Sequence, residues 1–94
     1  MALPRPRSHD PSSLPIRNIV VGGHRTSVRL EALMWESLRD IARRSGIGVN
    51  ELVTEIDSRR GTLGLTAAIR VYIVEFYRRA LDAERPAARE PLPA

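Results

Sequence analysis

The stretch His24-Arg-Thr-Ser-Val-Arg-Leu-Glu31 decides how this chain folds. Its side chains alternate, with Arg25, Ser27 and Arg29 on one side and Thr26, Val28 and Leu30 on the other. A period of two over six residues predicts a half-buried strand with one apolar face and one cationic, hydrogen-bonding face. A single short strand is not stable alone, so this strand must pair with another. The identity of its partner determines the function of the protein.

A second β-prone segment, residues 17–21, precedes this strand and is joined to it by Gly22-Gly23. Two glycines between β-prone runs favour a hairpin, because both accept positive φ. A two-residue loop would place Ile19 on the same face as Thr26, which is the core side of the main strand. Pairing within the chain and pairing with a second copy of the chain both remain open.

Helical periodicity replaces the alternation after Glu31. A first amphipathic helix is predicted over about residues 32–45, ending at Gly46 as its cap, with inward residues Leu33, Trp35, Leu38, Ile41 and Ala42. A second is predicted over about residues 49–59, with Gly48 as its N-cap and inward residues Leu52, Val53 and Ile56. A third is predicted over about residues 65–83, with one stripe made of Ile69, Tyr72, Ile73, Phe76 and Tyr77.

The 94 residues allow one small domain. Proline-rich ends predict a disordered Pro/Arg-rich arm over residues 1–16, a folded domain over 17–83 and a disordered tail over 84–94. A core of this size is marginal, and the absence of cysteine leaves oligomerisation as the common route to stability. We therefore expect a homodimer, because a monomer would expose a large apolar patch. The predicted dimer core is Val28, Leu30, Trp35, Leu38, Leu52, Ile56, Ile73 and Phe76.

The net charge of the chain lies entirely in its first thirty residues. These hold five arginines and one aspartate, a net charge of +4, whereas residues 31–94 hold ten arginines and ten acids. A localised basic region of this kind is typical of a protein that binds a polyanion.

Several functional classes find little support in the sequence. His9 and His24 have no cysteine or carboxylate at the spacing of a metal site or a catalytic triad, and no glycine pair leads into a phosphate loop. We therefore expect no enzyme, metal or cofactor. No apolar run approaches the roughly 18 residues that span a bilayer, and residues 1–8 lack the apolar core of a signal peptide. A cytoplasmic protein without membrane contact is predicted.

Three segments together resemble the ribbon-helix-helix family: Arg25-Thr-Ser-Val-Arg-Leu-Glu, Trp35-Glu-Ser-Leu-Arg-Asp-Ile-Ala, and Gly46-Ile-Gly-Val-Asn-Glu-Leu-Val. The resemblance covers about residues 25–57 and is closest to a bacterial subgroup that has a glycine turn before the strand and an extra C-terminal helix. It implies a mainly α fold with a short β-ribbon or hairpin, in the order β-α-α plus a third helix, assembled as an intertwined homodimer.

The resemblance also implies that the chain binds double-stranded DNA and represses transcription, with strands of two copies paired across a two-fold axis in the major groove. By position, Arg25, Ser27 and Arg29 take the base-contacting places, where arginine matches guanine O6 and N7. The implied phosphate-contacting residues are Gly48, Val49 and Asn50, and Arg5 and Arg7 of the arm are expected to add phosphate contacts.

The sequence departs from the family pattern at three points, and each leaves an alternative interpretation open. Gly48 stands where the family usually has Ser or Thr. The segment 65–77 also resembles the family's second helix, in which case Thr66 and Ala67 would face the phosphates. An intrachain hairpin would double the width of the ribbon. The alternatives are a protein-interaction module that docks a partner on the hairpin edge or the third helix, and an antitoxin.

Overall fold

The computed structural model describes residues 10–84, so Arg5, Arg7 and most of the predicted tail lie outside the described part. A two-stranded antiparallel sheet precedes three helices: β1 Ile16–Val21, β2 His24–Arg29, α1 Ala32–Ser45, α2 Val49–Arg59 and α3 Leu65–Ala83. The predicted order of strand, helix, helix and third helix is confirmed.

The two strands form the hairpin within one chain. Val21 pairs with His24 at its closed end, and Ile19 pairs with Thr26, as the two-residue loop predicts. Gly22 has φ +58° and Gly23 has φ +85°, so both loop residues occupy the left-handed region that glycine accepts without strain.

Residues 11–15 run along the start of α1. The carbonyl of Ser13 accepts the N–H of Ala32 at 2.8 Å, and the carbonyl of Pro11 accepts that of Leu33 at 3.2 Å. These bonds satisfy amides that a helix start leaves free, since Glu31 provides no side-chain cap. The Pro15 carbonyl accepts the indole N–H of Trp35 at 3.1 Å. Part of the predicted arm is therefore hydrogen-bonded to the fold.

The core closes within a single chain. Every predicted dimer-core residue except Phe76 is buried there, and Phe76 is half-buried against the same cluster. The expectation that a monomer would expose Val28, Leu30, Trp35 and Leu38 is therefore wrong, because β1 and the three helices cover them. The inward placement of Leu33 is also wrong, since this side chain is 48% exposed near the start of α1.

α3 is joined to α1 at both ends of their contact. Arg70 donates to both carboxylate oxygens of Glu31, at 3.1 and 3.3 Å, and the Tyr77 hydroxyl donates to Asp40 at 2.6 Å. The Tyr77 hydrogen bond, with help from Arg44, lowers the pKa of Asp40, whereas burial and the same bond raise the pKa of Tyr77. The pKa of Glu31 is lowered by its own backbone amide and by Arg70. Both carboxylates therefore favour the packed arrangement when ionised.

Candidate nucleic-acid interface

The outward face of the hairpin carries the predicted base-contacting residues. Arg25, Ser27 and Arg29 are all exposed on β2, as the alternation of the strand requires. Their cross-strand neighbours on β1 are Val20, Asn18 and Ile16, which are also exposed. The face therefore combines a cationic strand with a largely apolar one.

Two of the three β2 side chains contact other parts of the chain. The Ser27 hydroxyl donates to Asn18 Oδ1 at 2.7 Å, so that the two strands are linked across the outward face. Arg29 donates from Nη1 to the Leu14 carbonyl at 3.2 Å. Arg25 has no hydrogen bond or ion pair within residues 10–84.

The two outer edges of the hairpin differ. Leu30 donates its N–H to Pro15, which continues the ladder, so by alternation the backbone groups of Arg25, Ser27 and Arg29 point away from β1. Within the described residues, nothing pairs with this edge of β2. The edge is therefore an open template for another strand.

The opposite edge, on β1, is covered by α2. Asn50 Oδ1 accepts the backbone N–H of Val20 at 3.2 Å, and Thr54 Oγ1 accepts that of Gly22 at 3.0 Å. The sequence predicts a phosphate contact for Asn50 and misses this bond to β1, because no local pattern reports a contact thirty residues away.

The start of α2 lies beside the hairpin. Gly48 is its N-cap without a side-chain hydrogen bond, and Val49 is its first residue. Because α2 packs on β1 and α3 packs mainly on α1 and α2, α2 is the helix whose start borders the ribbon. Thr66 and Ala67, the alternative phosphate-facing pair, begin α3 instead.

Unpaired positive charge is concentrated around the hairpin. Five arginines of the helical part form ion pairs, four within helices and one at the C-cap of α2: Arg43, Arg44, Arg59, Arg70 and the C-cap Arg60. Within residues 10–84 the arginines that form none are Arg17, Arg25, Arg29, Arg39, Arg78 and Arg79. Three of these six belong to the hairpin, and Arg39 lies on α1 beside β1. The basic surface that the sequence predicts for the strand therefore extends onto α1.

The family model of the ribbon-helix-helix domain matches residues 14–77, which contain the hairpin, the first two helices and most of α3. The chain belongs to the ribbon-helix-helix family. A solved structure of an uncharacterized protein from Bordetella pertussis Tohama I is similar to this ribbon-helix-helix chain, with 31% sequence identity and a TM-score of 0.68. The similarity covers 87% of this chain and 70% of that one. A comparison with curated proteins gives no match.

Ribbon-helix-helix domains are a non-enzymatic fold, and they typically bind DNA as dimers in regulators and antitoxins. In the part of this chain that the structure describes, no group of three or more His, Cys, Asp or Glu side chains is placed to hold a metal ion. None of its described helices combines the length and the apolar character needed to cross a bilayer.

Proposed function

We propose that this protein is a homodimeric, sequence-specific DNA-binding regulator, acting as a repressor. The observation that carries the proposal is the row Arg25, Ser27 and Arg29, exposed on a strand whose backbone edge is open. Arginine and serine side chains at alternate positions of a ribbon can reach base edges in the major groove.

The open edge of β2 is the surface on which we place the partner protomer. Antiparallel pairing of β2 with its copy would satisfy the backbone groups of Arg25, Ser27 and Arg29 and produce a four-stranded sheet with β1 at either side. The central strands would then present two copies of the cationic row. Dimerisation through β2 leaves α2 bonded to β1, because α2 covers one outer edge of the hairpin and the partner protomer would pair with the other.

The width of such a sheet sets a limit on its insertion. Strands about 4.8 Å apart put the two outer strands about 14 Å from each other, whereas the major groove is about 12 Å wide. We infer that only the central β2 pair enters the groove and that the two β1 strands meet its walls. Gly48 and Val49 are the proposed phosphate contacts at these walls, and Arg5 and Arg7 are also proposed to contact phosphates.

The base-contacting assignment is tested by selecting bound sequences from random duplexes and measuring affinity by fluorescence anisotropy. Arg25→Ala and Arg29→Ala should each weaken specific DNA binding by about 1–3 kcal/mol for each base contact removed. Each substitution removes two such contacts from a dimer. Arg78→Ala is the matched control, since this arginine likewise forms no ion pair within residues 10–84 but lies on α3. Equal effects of all three substitutions would assign the arginines to non-specific attraction and refute base reading.

The strand-pairing assignment is tested with Ser27→Pro. Proline removes an N–H that points away from β1, so the hairpin keeps its own ladder while the open edge loses a donor. We expect a shift toward monomer in sedimentation and loss of specific DNA binding. Ser27→Ala, which removes only the hydroxyl, should remain dimeric. A Ser27→Pro variant that sediments as the wild type would exclude pairing through this edge.

A protein-interaction module is the second candidate, favoured by the apolar part of the outward face. Ile16 is 52% exposed and Val20 is 40% exposed beside the cationic row. Against a groove wall these side chains would meet phosphates, which gain nothing from apolar contact. Ile16→Glu and Val20→Glu should weaken DNA binding by repulsion if the sheet enters the groove. Unchanged DNA affinity in both variants would favour a protein partner on this face.

A further inference from the structure

A cleft lies where β1 meets α1 and α2. Its walls are formed by Arg17 and Asn18 of β1, Trp35 and Arg39 of α1, and Val49 and Asn50 of α2. Its volume of about 390 Å³ falls within the range of small-molecule sites, roughly 300–1,000 Å³. The cleft lies apart from the row of β2 side chains to which DNA reading is assigned.

The two arginines give the cleft an uncompensated positive charge. Arg17 and Arg39 come from different elements, and neither forms an ion pair within residues 10–84. No acidic side chain lines the cleft. By contrast, Arg43 and Arg44 on the same helix as Arg39 are both paired with Asp40. Charge in the cleft is thus available to a ligand, whereas charge further along α1 is not.

The polar side chains of the cleft are arranged to donate hydrogen bonds. Asn18 Oδ1 already accepts from the Ser27 hydroxyl, and Asn50 Oδ1 already accepts from the Val20 amide. With both amide oxygens engaged, the –NH₂ groups of the two asparagines remain as donors. The Asn18 amide lies on the outward face with Ser27, so Arg17, Arg39 and Asn50 are the three side chains that can donate to a ligand in the cleft.

The cleft also offers an apolar surface. The Arg17 guanidinium carbon lies 5.8 Å from the centroid of the Trp35 ring, in the range of a cation–π contact. Val49 and Ile16 supply aliphatic surface nearby. A ligand that combines a planar apolar body with an anionic end would match both parts, because guanidinium groups bind carboxylates in bidentate fashion and stack on planar rings.

We propose that this cleft binds a small organic anion, an aromatic carboxylate held by Arg17 and Arg39 with its ring on the aliphatic wall. Because Asn18 and Ile16 belong both to the cleft and to the outward face of the sheet, the bound anion alters the surface that flanks the cationic row. The site thus supplies a regulatory ligand for the sheet, and the anion can bind in the absence of DNA.

Trp35 is the only tryptophan of the chain, so its fluorescence reports on the cleft directly. The full-length protein, without DNA, is titrated with benzoate, with benzyl alcohol as the neutral analogue and with inorganic phosphate, and calorimetry is recorded in parallel. We expect saturable binding of benzoate and at least about tenfold weaker binding of benzyl alcohol, because only the carboxylate makes charge-assisted hydrogen bonds.

Variants then assign the binding to the two arginines. Arg39→Gln and Arg17→Gln should each weaken benzoate binding about tenfold, and Arg78→Gln, on α3, should leave it unchanged. If Arg17→Gln lowers the melting temperature by loosening Trp35, the exposed Arg39 carries the test alone.

Two outcomes would overturn the proposal. One is the absence of saturable benzoate binding by both fluorescence and calorimetry. The other is a fluorescence response to inorganic phosphate and to a short DNA duplex but not to benzoate. If Arg39→Gln abolishes that response, the cleft binds a phosphate of the DNA backbone. Failure of the protein to bind any DNA would refute the proposed regulator without affecting the benzoate titration.

Discussion

α2 covers the edge of β1 through two hydrogen bonds, and we predict how much each of them contributes to the stability of the protein. Asn50 accepts the Val20 amide at 3.2 Å and Thr54 accepts the Gly22 amide at 3.0 Å. Asn50→Ala removes the first acceptor. Thr54→Val removes the second while keeping the shape of the side chain. The double variant leaves the edge of β1 without either partner.

The expected cost follows from the exposure of the two donors. A net intramolecular hydrogen bond contributes about 0.5–1.5 kcal/mol. Val20 and Gly22 are both exposed, so water replaces the lost acceptors and each variant should fall near the lower end. We expect about 0.5–1 kcal/mol for each single variant and about 1–2 kcal/mol for the double variant. The melting temperature should fall by about 4–8 °C per kcal/mol for a domain of this size.

Urea denaturation of the full chain measures these differences through the midpoint at constant slope. Ser58→Ala is the matched control, because it removes an exposed hydroxyl on α2 whose bond to the Glu55 carbonyl stays within the helix. An open β1 edge should also increase self-association, which sedimentation detects. The double variant could instead be as stable as Ser58→Ala and equally monodisperse. In that case α2 does not cover the edge of β1, and β2 is not the one strand of the hairpin with an open edge.

Three further predictions concern the stability of the helical part. Gly46→Ala should destabilise the chain by about 1–2 kcal/mol in urea, because Gly46 has φ +73° where alanine is strained. Ile69→Ala should cost about 2–5 kcal/mol by the same measurement, since Ile69 is fully buried where α3 packs on the core. Stability should decrease as the pH falls through the lowered folded-state pKa values of Glu31 and Asp40, because the unfolded chain then binds more protons, and Asp40→Asn should flatten this dependence in urea midpoints measured across acid pH.

The parts of the fold that depend on local pattern were accessible from the sequence. Alternation defined β2, two glycines defined the hairpin, and helical periodicity defined three helices whose bounds agree with the structure. Gly46 ends α1 in the left-handed conformation, and the next residue, Ile47, donates back to the Ala42 carbonyl, which is the closure that a glycine cap predicts. Each of these features is decided by residues within a few positions of one another.

The parts that depend on distant contacts were not accessible. The carbonyls of Pro11 and Ser13 accept the first amides of α1, although a run of Pro and Ser has no periodicity that would indicate order. Asn50 bonds to Val20, whereas its position in the sequence predicted a phosphate contact at a helix start. The position of Arg39 beside Arg17 of β1 is of the same kind, because nothing local in the α1 sequence shows that a second cation lies across the cleft.

The sequence sets pairing within the chain against pairing with a second copy, and the geometry of the hairpin removes that conflict. A strand has two edges, and β2 uses one of them for β1 while the backbone of Arg25, Ser27 and Arg29 faces the other. The hairpin therefore does not prevent dimerisation; it buries Val28 and Leu30 without a partner and so separates folding from assembly. In the proposed dimer the sheet is wider, so base reading is expected only of the two central strands, and the fit against the groove walls is expected to depend on β1. Substitutions on β2 should then change which sequence is bound, whereas substitutions on the outward face of β1 should change affinity for all sequences alike.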